Sequence, residues 1–260
     1  MPNLIVNADD FAGERGATDA ILECFRRGWV NQTTLLVNTV DADRSVELAK
    51  KEGIADRIGL HFNVTSGTPL SKEMRSSVFC DDQGRFDGMR KIRQRMFLPF
   101  DRQTAVAVHA EAKAQIKRYL DYGLTLRHCD GHHHRQTMWP IARILLPLLG
   151  AYGFKSIRRP YNVGLGVGPG GVMRRARNCL FSRLAKRCGL HSTDFFVNPE
   201  QIGKLTPGCG SVEIMVHPVV SRNGAIIDLQ DWDSWQGRSM LDVQRAICCA
   251  GWEVRRSATS

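Results

Sequence analysis

The segment NLIVNADD, residues 3–10, decides which fold to expect. A short apolar run that stops on two acids reads as a buried strand carrying Asp9 and Asp10 at its C-terminal end. Downstream, Ala17, Ala20, Ile21, Cys24 and Phe25 fall at helical spacing within 16–28, with Gly28 as the stop. TTLLVNT (33–39) is a second strand, 42–52 a second helix, and RIGLHFNV (57–64) a third strand with His61 near its end. Strand, helix, strand, helix points to parallel βαβ units. Residues 66–100 are irregular and rich in turn formers; a long helix over 102–122 then leads into a strand from Thr125 to the histidine cluster. MWPIARILLPLLGAYG reads as a helix, FKSIRRPY as a strand and turn, STDFFV and SVEIMVHP as strands, 239–250 as a helix and WEVRR as a last strand. Seven or eight strands with intervening helices in 260 residues fit a single α/β domain over 1–260. Its architecture is a deformed TIM-like (β/α) barrel, complete or incomplete, with insertions at about 66–100 and 162–190. A doubly wound open sheet is the alternative.

Composition agrees with a folded chain. Hydrophobic residues make up 43% and charged residues 24%, enough for a large core that needs no disulfide. The eight cysteines are scattered without a CxxC pair, which suits reduced thiols. The N-terminus lacks a basic and apolar leader pattern, and the run ILLPLLGA is too short to span a bilayer, so a cytoplasmic location is expected. The net charge of +10 suggests an acidic partner or simply a basic protein. Six basic residues lie in VMRRARNCLFSRLAKRC (172–188), where Met173, Ala176, Leu180, Leu184 and Cys188 share one helical face. The favoured reading packs that apolar face on the barrel and leaves a solvated basic face. The alternative is peripheral contact with the inner face of a membrane, near a lipid-diphosphate-linked sugar; the same charges suit a nucleotide sugar. No nucleic-acid partner is expected, because basic and aromatic residues are not interleaved.

Half of the eight histidines cluster, with one aspartate between them, in HCDGHHHRQ (128–136). In parallel α/β folds chemistry sits at the C-terminal ends of strands, and the polar outliers are there: Asp9 and Asp10, His61, His132 and His217. Asp10, His61 and His132 make a two-histidine, one-carboxylate set, the kind that holds a divalent ion and leaves positions open. Carboxylate and water suit Mg; two imidazoles favour Zn, Mn or Fe. If 132–134 were extended, His132 and His134 would share a face and His133 would point away. Adjacent carboxylates at a strand end also point apart, so one binds metal while the other, as general base, faces the water.

The blocks LIVNADDFAG, GLHFNVTSGTPL, HCDGHHH and VEIMVHP, in this order from residue 3 to about 218, resemble the signature blocks of the YdjC-like (ChbG) carbohydrate deacetylase family. That family is similar, in its deformed barrel and its site logic, to the NodB-type polysaccharide deacetylases. The resemblance implies a metal-dependent hydrolase that removes acetyl from an N-acetylated sugar. It implies Asp10, His61 and His132 as metal ligands, Asp9 as base, and His217 as the acid that protonates the leaving amine. Arg158, in RRPY, would orient Asp9. His134, Asp130 and Gln136 would support the ligands or touch substrate. Two positions depart from the pattern: Ala12 stands where the family has glycine, and Gln136 where a histidine is frequent. Another metal-dependent amidohydrolase or a phosphoesterase is the rival enzyme reading, and a homodimer is left open.

Overall fold

The computed structural model describes residues 4–13, 15–88, 100–164, 169–231 and 236–255. Seven strands form the main sheet: β1 (Leu4–Phe11), β2 (Gln32–Leu35), β3 (Ile58–Phe62), β4 (His128–Gly131), β5 (Ser156–Ile157), β6 (Phe195–Val197) and β7 (Val212–Val216). Their order is β5-β4-β3-β2-β1-β7-β6, and every pairing is parallel. Parallel neighbours need a crossover, which α1 (Arg15–Arg26), α2 (Ala42–Lys51), α3 (Lys72–Arg75), α4 (Arg102–Asp121), α5 (Trp139–Ala151) and α6 (Pro169–Arg187) supply together with loops. A parallel sheet is covered on both faces, and β2 and β3 are buried at every position, including the polar Gln32, Thr33, Thr34 and His61.

This order excludes the doubly wound alternative. From β1 to β5 each strand neighbours its predecessor in sequence, β6 pairs with β7 at the other edge, and β7 returns to β1, so the sheet winds in one direction around a curl. The remaining seam, between β5 and β6, lacks a ladder. It is drawn together just ahead of β6 by a single parallel bridge, Ser156 with His191. Ile157 N–H donates to His191 O at 2.8 Å, and the Arg159 guanidinium donates to Thr193 O and Asp194 O at 3.1 and 2.7 Å. The expected deformed barrel is therefore observed.

A small antiparallel sheet, β8 (Pro218–Val220), β9 (Ile226–Asp231) and β10 (Gln236–Ser239), follows β7, and α7 (Met240–Cys249) is the last helix among the described residues. Four expectations change. The second strand ends at Leu35 rather than residue 39, and the fourth starts at His128 rather than Thr125. Trp252–Arg255 of WEVRR form no strand; Trp252 is buried and its N–H donates to Ile247 O at 3.1 Å, which folds the chain back on α7. The apolar face expected to pack α6 on the barrel does so only toward its C-terminal end, where Leu184 and Cys188 lie partly buried against the core. Asn178, Phe181 and Ala185 are buried, whereas Met173, Ala176 and Leu180 are exposed.

Candidate active site

The site begins at an irregularity in β1. Its pairing with β2 slips between Ala8 and Phe11, and Asp10 and Ala12 adopt φ of 66° and 71°. Such a bulge re-aims side chains at a strand end. Left-handed backbone is unfavourable for alanine, which explains why glycine is the natural choice at position 12. The result is that Asp9 and Asp10 face two different partners.

Asp10 faces two imidazoles. Its Oδ1 lies 3.1 Å from His61 Nε2 and 2.7 Å from His132 Nδ1, yet no N–H is aligned to bond it. One ligand atom from each of the three residues lies within 4.8 Å of the others. A carboxylate oxygen and two imidazole nitrogens that converge in this way are a donor set that a cation would satisfy. Behind His61, Nδ1 stands 2.6 Å from Asp130 Oδ1, and the Thr34 hydroxyl donates to Asp130 Oδ2 at 2.9 Å. A carboxylate only accepts, so the proton sits on Nδ1 and Nε2 keeps its lone pair for the ion. The residues therefore fit a divalent cation. Charge points the same way. Asp9, Asp10, Asp130 and Glu213 are buried around one permanent cation, Arg158. Burial alone would lower the His61 pKa, but Asp130 and Asp10 outweigh it and push it up to about 10, so without metal a proton takes the cation's place.

Asp9 faces Arg158. This arginine follows β5, is fully buried, and donates from Nη1 to Asp9 Oδ2 at 2.6 Å and from Nη2 to Asp9 Oδ1 at 2.7 Å. Nη2 also pairs with Asp130 Oδ2 at 2.9 Å, and Nε donates to Glu213 Oε1 at 2.5 Å. Asn7 Nδ2 adds a bond to Asp9 Oδ1 at 2.7 Å. Planar, bidentate pairing fixes the carboxylate's orientation in a way that lysine would not reproduce. The Phe196 ring covers the guanidinium at 4.9 Å and stacks on Tyr161 at 4.3 Å between centroids.

The histidine triplet departs from the extended reading. Residues His132–Thr137 form a 3-10 turn in which His133 and His134 have φ of 52° and 56°. The turn folds back so tightly that a Cβ at Gly131 would stand 2.6 Å from Gln136 Oε1. His132 reaches Asp10. His133 turns outward, its Nδ1 3.0 Å from the Thr65 hydroxyl. His134 packs edge-on against Tyr161 and Phe196, and burial, then Arg158, push its pKa down to about 3, so it is neutral. Gln136 is buried beneath the turn and is not among the residues that line the cavity; neither amide atom finds a hydrogen-bond partner among the described residues. Asp130, fully buried, supports His61 and Arg158 and likewise stands away from the cavity.

Asp9, Asp10, His61, His132, His134 and His217 line one cavity of about 540 Å³. Asp10 and His132 also border a second cavity, of about 820 Å³, walled by Asn38, Ser66, Thr68 and Arg118. His217 sits between β7 and β8, and its backbone N–H donates to Asp228 Oδ1 at 2.8 Å. Asp228 and Glu213 were not anticipated. A signal was available for Glu213, an acid inside the otherwise apolar strand VEIMV; Asp228 shares its strand, IIDLQD, with further polar residues and stands out less.

A singly wound parallel barrel with an Asp/His cluster at its C-terminal rim defines an α/β protein whose buried donor set at that rim is compatible with a cation. The chain belongs to the YdjC-like protein family, whose model matches residues 3–247. A carbohydrate deacetylase of Vibrio cholerae serotype O1 (strain M66-2) is 32% identical over 83% of this chain and 77% of its own length. Carbohydrate deacetylases of Danio rerio and Oceanobacillus iheyensis are 32% and 34% identical over 62% and 55% of this chain. The chain spans only about half of the former's length (51%) and 59% of the latter's. A crystal structure from Enterococcus faecalis V583, of a protein provisionally named for cellobiose-phosphate cleavage, superposes with a TM-score of 0.71 at 21% identity, covering 97% of this chain and 96% of that one.

Proposed function

We propose that this chain is a metal-dependent hydrolase that removes an acetyl group from an N-acetylated sugar. The observation that carries the reading is the convergence of Asp10, His61 and His132 beside an Asp9 that Arg158 holds by two bonds. A divalent cation held by those three residues would polarise an acyl oxygen and make a water acidic near neutral pH. Asp9 is placed to accept a proton from the attacking water. Its Oδ2 accepts only one bond from Arg158, which leaves a lone pair for the task. His217, in the same cavity, gives a proton to the departing nitrogen, so acetate and a free amino sugar result. His134, neutral and flanked by Tyr161, forms part of the wall against which the sugar packs. Membership of the family and the names of its curated relatives support this reaction over phosphate release. The two cavities that meet at Asp10 and His132 offer room on both sides of the reacting group, which suits a sugar carrying a further unit, whether a second sugar, a nucleotide or a lipid-linked phosphate.

The test is an acetate-release screen of N-acetylated sugars, free, nucleotide-linked and lipid-linked, with Zn, Mn or Mg added to chelator-treated protein. Metal-dependent acetate release is expected, and is expected to vanish in Asp9→Asn. Phosphate release from sugar phosphates without any acetate would replace this reading with the phosphoesterase one.

A further inference from the structure

Helix α6 is fastened to the barrel on one side only. Asn178, Phe181 and Ala185 are buried there, and Asn178 Nδ2 donates to Tyr161 O at 2.7 Å. With 3.6 residues per turn, Met173, Ala176 and Leu180 fall on the opposite side. Val172, Met173 and Leu180 are 58%, 66% and 49% exposed. Trp139, the first residue of α5, is 39% exposed and faces Met173, Arg177 and Leu180 across a groove of about 610 Å³. Single exposed apolar residues are ordinary, but four large ones gathered along one helix and its neighbour mark an interaction surface. Charge says which kind. The helix carries Arg174, Arg175, Arg177, Arg183, Lys186 and Arg187 and no acid at all. A protein partner would have to bury several like charges around its contact. A bilayer of anionic lipids would receive the apolar side chains at the level of its headgroups while its phosphates meet the arginines. Tryptophan favours the same interfacial depth.

We propose that the first half of α6, together with Trp139, is a docking face for an anionic lipid bilayer. The inference does not depend on the reaction assigned above. The two are nevertheless neighbours: His133, His134 and Arg135 line both the groove and the cavity that holds Asp9 and His217. Docking therefore turns the mouth of the site toward the membrane surface.

The test is flotation of the full chain with phosphatidylcholine vesicles, with and without phosphatidylglycerol. Binding is expected only with phosphatidylglycerol, with a blue shift of tryptophan emission that Trp139→Phe removes. The double variant Met173→Asp/Leu180→Asp changes exposed side chains, so it should keep its near-UV circular dichroism while its vesicle-bound fraction falls by about tenfold or more. The proposal is overturned if the protein fails to float with anionic vesicles or floats equally with neutral ones. It is overturned too if the double variant binds like the parent and high salt releases both, since net charge alone then accounts for adsorption. Analytical ultracentrifugation adds one more decisive outcome: a dimer that the double variant dissolves would assign the face to a second copy of the chain.

Discussion

At the scale of single residues, the site separates two tasks between adjacent carboxylates. Asp10 faces imidazoles and Asp9 faces a guanidinium, and the bulge at the end of β1 is what turns them apart. Asp9→Asn keeps the side chain's shape but loses the base and sets an amide N–H against one of the Arg158 or Asn7 donors, so acetate release should fall by about 10²–10⁴-fold while bound metal, counted by mass spectrometry, is unchanged. Loss of metal in that variant would move Asp9 into the ligand set. Asp130→Ala should instead weaken metal binding by about 10–100-fold, because His61 loses the partner that fixes its ring. His61 also predicts a proton linkage. Its folded pKa, opposed by burial but raised by Asp130 and Asp10, is up to about 10, above the ordinary 6.5. In the metal-free protein its contribution to stability is complete below about pH 6.5 and disappears as pH rises through about 10. Metal uptake near neutral pH should therefore expel a proton. Calorimetry in buffers of different ionisation enthalpy should show it as a buffer-dependent heat; identical heats would mean that His61 is already neutral.

At the scale of elements, the strands that carry single polar outliers were legible, and the histidine turn was not. Asp10 and His61 could be placed at strand ends because each follows a largely apolar run of strand length, and His132 because it opens the histidine triplet that ends the next strand. The conformation of 132–137 could not, because two consecutive non-glycine residues at positive φ are set by tertiary contacts: the Thr65 hydroxyl at His133, and the close approach of Gln136 to Gly131. The loop that presents Thr65 is itself built by side chains. Asn63 Oδ1 accepts from Thr65 N–H at 2.9 Å and Ser66 N–H at 3.1 Å, and Glu111, inside α4, accepts from Leu70 and Ser71 N–H at 3.1 and 2.8 Å. Glu111 is fully buried, so Glu111→Ala strands two backbone donors and should cost about 1–3 kcal/mol in urea denaturation. A loss under about 0.5 kcal/mol would show that water replaces the carboxylate and that the wall of the larger cavity is not held from α4.

At the scale of the whole molecule, one side chain joins what the sheet leaves open. The strand order predicts a closed curl, yet the β5–β6 seam has a single bridge. Arg158, leaving β5, crosses the interior to Asp9 on β1, Asp130 on β4 and Glu213 on β7. This cross-barrel tie could be named from the family resemblance only as an orienter of Asp9; its links to Asp130 and Glu213 span 28 and 55 residues and belong to the folded curl alone. Arg158→Met preserves bulk and removes the charge, leaving three buried acids without their cation. The expected loss is about 3–5 kcal/mol at neutral pH, measured by urea denaturation of chelator-treated protein. The pH dependence identifies the cause. Burial would raise the Asp130 pKa, but Arg158 and then His61 hold it far below the usual carboxylate range. Such a depressed carboxyl contributes stability above about pH 4 that is lost as pH falls toward its folded value. The variant lacks the arginine's share of that contribution, so the gap between it and the parent should narrow steadily below about pH 4. A gap that stays constant with pH would assign the loss to packing around the missing guanidinium, and the barrel would then be held by its helices rather than by the charge at its centre.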